Sequence, residues 1–393
     1  MKITHIEDLH CDAGWREFSF LKIETDAGIT GWSEYNESYG SKGLTAVIKG
    51  LARHLIGVDP RPVERLTAQM YAKTRQAPGG LAQQAIAALE NALVDVKARA
   101  LGVPVYELLG GPVRDRLRLY WSHCGSYRID HAATMGVSPL TDLAGVEALG
   151  AEVRERGFTA LKTNIFLFDQ DPPEMFMPGF TRTDGWPELN PSRRVIDALD
   201  AQLTALRDGA GPDMDILLDL NFNFKTEGYM RVAEGLAHHD LFWVEIDTMD
   251  PAALALIRAR GPHPVASCES LFHRRGFKDF LHRQAMDVAI VDVPWNGILE
   301  SMKIASMAEA HEINVAPHNF YGHLSTMMSA HFCAAVGNFR IMEIDIDDVP
   351  WKDDLVTVTP AIADGHMTLP SGPGWGTEVN EDAIRAHPVK PKE

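Results

Sequence analysis

Eight short apolar runs recur between residues 117 and 345, each ending in polar residues and each followed by a helical stretch. They are LRLYWSH (117–123), FTALKTN (158–164), DILLDLN (215–221), LFWVEID (241–247), HPVASCES (263–270), VAIVDVPWN (288–296), INVAPHN (313–319) and FRIMEID (339–345). Strand-then-helix units repeated eight times predict an α/β chain whose parallel strands close into a (β/α)₈ barrel. An open, doubly wound sheet is the alternative reading of the same rhythm.

The flanks read differently. Residues 1–115 open with strand-like alternation, and FLKIETDAGITGWSE is a hairpin signal with Asp26-Ala27-Gly28 at its turn. From about Gly43 to Leu109 the apolar spacing becomes helical, notably in LAQQAIAALENALVDVKARAL. A small α+β domain is therefore expected ahead of a barrel over 116–354. The Gly- and Pro-rich segment 355–393 is no further barrel unit, and is expected to fold back on the N-terminal domain.

All strands of such a barrel end at one mouth, where active sites are built. The third, fourth and fifth runs close on Asp219, Glu245 and Glu269. Any one of these acids alone reads as a helix cap or solvated loop residue, but three on consecutive strands would converge. At an effective dielectric of about 20, each pair ~4 Å apart repels by roughly 4 kcal/mol unless a cation joins them. Hard carboxylate oxygens suit Mg²⁺ better than zinc. Asp292 and His318 end the next two runs, and a carboxylate beside an imidazole can fix its tautomer and raise its basicity for general-base work. The bland alternative is a core histidine satisfied by hydrogen bonds. Lys162 and Asn164 share a face of the second strand by alternation. Glu343 closes the eighth; if protonated, it could donate to an enediolate oxygen.

Charge and composition narrow the partners. A formal net charge of −17 repels phosphate backbones and argues against nucleic acid as a partner, while a bound cation leaves room for a small anionic substrate. No apolar run reaches membrane-spanning length. MKITHIEDLH lacks the apolar core of a secretory signal, and a cytoplasmic protein is expected. Cys11, Cys124, Cys268 and Cys333 are scattered with no CxxC pair, as expected of reduced thiols.

These residues resemble the mandelate racemase and muconate lactonizing enzyme group of the enolase superfamily. The helix AIAALENALVDVKARALGVPVYELLG (85–110) is similar to that group's N-terminal signature, and PSGPGWGTEV to its usual ending. The acids Asp219, Glu245 and Glu269, at steps of 26 and 24 residues, resemble its magnesium ligands; Asp292 and His318 resemble its His-Asp dyad and Glu343 its electrophilic acid. The resemblance implies a modified (β/α)₈ barrel with a capping domain, Mg²⁺ on a substrate carboxylate, removal of the α-proton to an enediolate, and a homo-oligomer. Asn221 resembles the asparagine near the metal in the mandelate racemase subgroup, and Asp292 in place of a lysine on the sixth strand favours that subgroup.

One departure directs the choice of reaction. Where the family carries Lys-x-Lys on the second strand, this chain has Lys162-Thr163-Asn164. Asn164 stands in the place of a base, yet an amide cannot accept a proton at neutral pH. Dehydration is then easier than two-base racemisation: His318 takes the α-proton and, as imidazolium, protonates the departing β-hydroxyl of a sugar acid, giving a 2-keto-3-deoxy acid. An epimerase or cycloisomerase using Lys162, or a non-catalytic metal-binding relative, are the rivals. Trp15, Arg16 and the stretch Asn36–Tyr39 are candidates to touch the distal end of the substrate, with His123, His323 and Arg128 as further lining. The long connection 169–191, rich in Pro, Met, Phe and Trp, reads as a lid, a pocket wall or an oligomer contact.

Overall fold

Gly28 adopts φ 72°, a left-handed conformation that only glycine enters without a steric penalty, and this closes the turn after Thr25. The turn joins β2 (Arg16–Thr25) to β3 (Thr30–Tyr35), and β1 (Ile3–Ala13) completes a three-stranded antiparallel sheet, in the order β1-β2-β3. The structure is a computed structural model and describes residues 1–39, 41–178 and 189–390. Helix Gly80–Leu101 lies across this sheet and is buried from Gln83 to Val96, on every side. The fit is close enough that a Cβ on Gly31 would sit 2.5 Å from the Ala92 carbonyl. Gly102, at φ 70°, ends the helix and donates its N–H to Ala98.

Each of the eight apolar runs contains a strand. The chain passes through β4 (Arg116–Ser122) and β5 (Ala160–Thr163), then a small outer hairpin of β6 (Phe166–Leu167) and β7 (Glu174–Met175). It continues through β8 (Asp215–Asp219), β9 (Leu241–Glu245), β10 (Val265–Ser267), β11 (Val288–Asp292), β12 (Asn314–His318) and β13 (Met342–Asp345). Neighbours from β4 to β12 pair in parallel, and β13 pairs in parallel with β4. The Asn338 carbonyl and the Arg340 N–H bond Val315 of β12 just before β13 begins, so the ring comes round to its start. The helices between strands begin where their sequence caps them. Asp142, Ser192 and Asp250 accept the N–H groups of Gly145, Val195 and Ala252 at three such starts.

The C-terminal segment ties the two parts together. Its hairpin, β14 (Ile362–Ala363) and β15 (His366–Thr368), adds antiparallel to the first half of β4, which makes the large sheet mixed. Beyond it, Asp95 of the long capping helix accepts N–H groups from both Trp32 and Trp375, and Trp375 Nε1 donates to the Trp32 carbonyl. The expected architecture, a modified (β/α)₈ barrel with an α+β cap completed by the C-terminal segment, is the one observed.

Candidate active site

Strand alternation delivers the polar side chains to the mouth. Tyr120, Ala160, Leu217, Trp243, Ile290, Ala316 and Ile341 pack together inside the barrel. Two residues further along each run stand Ser122, Lys162, Asp219, Glu245, Asp292, His318 and Glu343, so a period of two places all seven on the inner side at the C-terminal rim. Glu269 is out of phase, being three residues beyond the inward Ala266. Cys268 between them takes φ 91°, a conformation that costs a residue with a Cβ, and this reorients the chain so that Glu269 joins the others.

His318 Nδ1 lies 2.6 Å from Asp292 Oδ2, and Tyr321 donates its hydroxyl to the same oxygen. The imidazole therefore carries its Nδ1 proton toward the carboxylate and turns Nε2 to the cavity, 3.5 Å from Glu269. Burial alone would lower the basicity of His318, but Glu269 and Asp292 outweigh it and raise the pKa to about 10 while Glu269 carries no cation; Mg²⁺ on Glu269 would offset that carboxylate's pull and leave Nε2 free to act as a base. Lys162 Nζ sits between Glu245 (3.0 Å), Glu343 (2.9 Å) and Asp219 (3.4 Å), over the ring of Tyr120. Burial disfavours its charge, yet these carboxylates hold its pKa well above the usual lysine value, so it stays an ammonium. Asn164 is fully engaged: it accepts from Ser126 Oγ (2.7 Å) and donates to Asn221 Oδ1 (3.3 Å).

The carboxylates fit a divalent cation. Asp219, Glu245 and Glu269 are all buried, and burial pushes Glu245 up to about 8 and raises Asp219, against the pull of Lys162. Glu245 Oε1 is buried with no hydrogen-bond partner, an arrangement that costs free energy unless a ligand completes it. Three anionic oxygen donors with one orphaned lone pair are a hard-cation set. Asp247, which the sequence reading passed over, adds a fourth buried acid; burial and the neighbouring Glu269, Glu245 and Asp219 push its pKa far up. Its sequence signal was the period of two itself, since it stands two residues after Glu245.

Glu343, which the sequence suggested as a proton donor if protonated, is placed here as an acceptor beside Lys162. It accepts from Asn319 N (2.6 Å) and Ser122 Oγ, and although burial opposes ionisation, Lys162, His318 and His123 hold its pKa down to about 2. Its closeness to a lysine on β5 is a through-space fact that no local pattern announces.

A cavity of about 160 Å³ opens over this cluster. Lys162, Asp219, Asn221, Glu269 and His318 line one side; Trp15, Tyr39 and Phe320 belong to the more apolar remainder. Arg16 is not among the lining residues. Its guanidinium is buried against Asp345 (3.0 Å) and Asp348 (2.6 Å), so it joins the cap to the barrel instead of facing a ligand. Asn36 accepts from Ser38 and Tyr39 N–H groups, Arg128 is paired with Asp347 and Glu152, and His323 with Asp353. Of the long connection, Met175 and Met177 line the cavity. Residues 179–188 of this connection, read over 169–191 as a lid, a pocket wall or an oligomer contact, lie outside the described residues.

A second group of potential metal ligands, Asp200, His238 and His239, occupies the opposite end of the barrel, just before β9 begins. Both imidazoles reach the same Asp200 oxygen, at 2.7 and 2.8 Å. Among the described residues no helix is long and apolar enough to cross a membrane.

Comparison with known proteins agrees with this geometry. Residues 13–110 match the mandelate racemase / muconate lactonizing enzyme N-terminal domain, and residues 145–383 match the enolase C-terminal domain-like family. The chain is 30% identical to a D-xylonate dehydratase of Haloferax volcanii, over 99% of this chain and 89% of that protein. It is also 30% identical to a D-galactonate dehydratase of Xanthomonas campestris, over 98% and 94%. A crystal structure from Burkholderia xenovorans, provisionally assigned as an L-alanine-DL-glutamate epimerase and bound to magnesium and fumarate, superposes with a TM-score of 0.97. It is 54% identical, over 99% of this chain and 96% of that one. Family and fold together support an enzyme of magnesium-dependent proton abstraction. The chain belongs to the mandelate racemase / muconate lactonizing enzyme family of the enolase superfamily.

Proposed function

We propose that this enzyme removes the proton α to the carboxylate of a sugar acid and expels the β-hydroxyl, giving a 2-keto-3-deoxy acid. One observation carries the reading: across the mouth from His318, the side chains able to face the α-carbon cannot accept a proton. Asn164 is an amide engaged at both ends, and Lys162 is paired with Glu343 (2.9 Å), a carboxylate outside the proposed metal ligands, which favours its ammonium form with Mg²⁺ on Asp219 and Glu245. A one-base site favours elimination over inversion.

Asp219, Glu245 and Glu269 would hold Mg²⁺, which when bound supplies positive charge for the substrate carboxylate and for the negative charge that develops on it. Lys162 orients that carboxylate from the β5 side and keeps its own proton. His318, fixed by Asp292, presents Nε2 to the α-proton. Ionised Glu343 anchors Lys162 and the Asn319 N–H, and so holds the rim of the site in place. Asn221 lines the same cavity beside Asp219, where its amide can bind a substrate oxygen. Trp15, Tyr39 and Phe320 cover the reacting atoms and keep bulk water away. The curated relatives named as dehydratases support the elimination.

A second reading, epimerisation of a less hydroxylated acid, draws on the provisional name of the Burkholderia protein and on the apolar wall, which offers few partners for a polyol chain. The test is a panel of mono- and diacid sugars incubated with Mg²⁺ or EDTA, with 2-keto acid detected as the semicarbazone. Magnesium-dependent keto acid from a few related stereoisomers is expected. Inversion at the α-carbon without keto acid would give the site to epimerisation.

A further inference from the structure

The mouth holds a second imidazole–carboxylate pair. His123, one residue past the end of β4, places Nδ1 2.8 Å from Asp345 Oδ1 at the end of β13. Asp345 is buried and further fixed by Arg16 (3.0 Å) and the Tyr127 hydroxyl (3.1 Å). Tyr127 also stacks on the His123 ring, at 4.9 Å between centroids. The imidazole's hydrogen bonds to Asp345 and Ser122 are both made by Nδ1. Among the described residues Nε2 has no hydrogen-bond partner, and the ring lines the cavity. His123 adopts φ 46°, left-handed backbone that a non-glycine residue occupies at a cost, as residues at functional sites do.

Strand order gives this pair its place relative to a bound acid. The carboxylates Asp219, Glu245 and Glu269 come from β8, β9 and the end of β10, while β13 and β4 lie on the opposite arc. His318 on β12 and Lys162 on β5 flank the space between. A substrate whose carboxylate lies against the β8–β10 arc, with its α-carbon beside His318, extends its β-carbon toward His123.

We infer that His123, positioned by Asp345, is the general acid that protonates the departing β-hydroxyl; this rests on the dehydration reading above. The α C–H bond breaks with its proton going to His318 Nε2, and its electron pair forms the Cα–Cβ double bond. The Cβ–O bond breaks with its electrons on oxygen, which takes the proton from His123 Nε2 and leaves as water. The enol then gains a proton at Cβ and loses its O–H proton to water, becoming the 2-keto acid. Two histidines thus divide the work that a single one would otherwise do twice.

The experiment compares wild type, His123→Asn and His318→Asn with Mg²⁺ in D₂O, on a panel of four- to six-carbon mono- and diacid sugars. Keto acid and α-deuterium incorporation are read together. His123→Asn should lose ~10²-fold or more in keto acid formation while still exchanging the α-proton, whereas His318→Asn loses both. A 3-deoxy-3-fluoro analogue, whose fluoride departs without a strong acid, should restore elimination to His123→Asn; this also shows that the variant is folded. Undiminished keto acid formation, or a rise in KM at constant kcat, overturns the assignment and leaves dehydration standing. If wild type makes no keto acid from any acid of the panel, the dehydration reading and this assignment fall together.

Discussion

His318 Nδ1 and Asp292 Oδ2 are 2.6 Å apart because β11 and β12 pair in parallel with Asp292 and His318 as direct partners in the register. A dyad set by sheet register is a rigid one, and it resists drift better than a dyad carried on loops.

From this geometry, Asp292→Asn should leave the fold intact and cut turnover by ~10²-fold or more, because an amide can present the ring with the wrong end and stabilises no positive charge on it. His318→Asn should do at least as much. Steady-state kinetics together with a magnesium titration check both; loss of magnesium affinity in step with activity would point to collapse of the site instead.

The orphaned Glu245 Oε1 and the buried acids around it make the ion-free site costly. Mg²⁺ at 100 times its Kd should therefore stabilise the fold by ~2.7 kcal/mol, and EDTA should remove that gain. Glu245→Gln should abolish the magnesium-dependent part of the rise in Tm. A melting curve indifferent to Mg²⁺ would argue against these ligands.

Glu90 gives a pH dependence remote from the mouth. It lies on the long capping helix, accepts the Leu299 N–H, and is pushed up to about 8 by burial, with Glu300 and Glu64 adding to the shift. A carboxyl whose folded pKa exceeds its unfolded one binds more protons when folded, so stability falls as pH rises from about 4.5 to about 8. Glu90→Gln keeps an acceptor for Leu299 and removes the charge. At pH 8 it should be more stable than wild type by an amount on the order of 4 kcal/mol, with little difference near pH 4.5. Urea unfolding at the two pH values measures this.

Gly209 tests the packing of the barrel's outer helices. A Cβ there would lie 1.8 Å from the Glu147 carbonyl on the neighbouring helix, a clash with backbone that no rotamer relieves. Gly209→Ala should cost ~3 kcal/mol, although alanine is the better helix former. A variant as stable as wild type in urea would show that the two helices can slide apart freely.

What the sequence determined by itself was periodic. Runs of four to eight apolar residues alternating with helical stretches admit few folds besides a (β/α)₈ barrel, and the geometry of such a barrel sends every strand end to one rim. Asp219, Glu245, Asp292, His318 and Glu343 were legible as a group for that reason, each being two residues past an inward apolar side chain. Even the hairpin at Gly28 followed from local chemistry.

Tertiary structure decided what depends on distances between remote residues. Arg16 looked like a substrate contact, but Asp345 and Asp348, more than 300 positions away, claim its guanidinium. Glu343 was legible as a mouth residue, but its pairing with Lys162 at 2.9 Å was not. His123 gained a partner only when β13 closed beside β4, and Glu269 reached the mouth only through the left-handed turn at Cys268. Periodicity is a property of neighbours along the chain, so it fixes which face a side chain takes. Charge state and partnership are set by whichever groups the closed barrel brings within a few ångströms, and these the linear pattern does not encode.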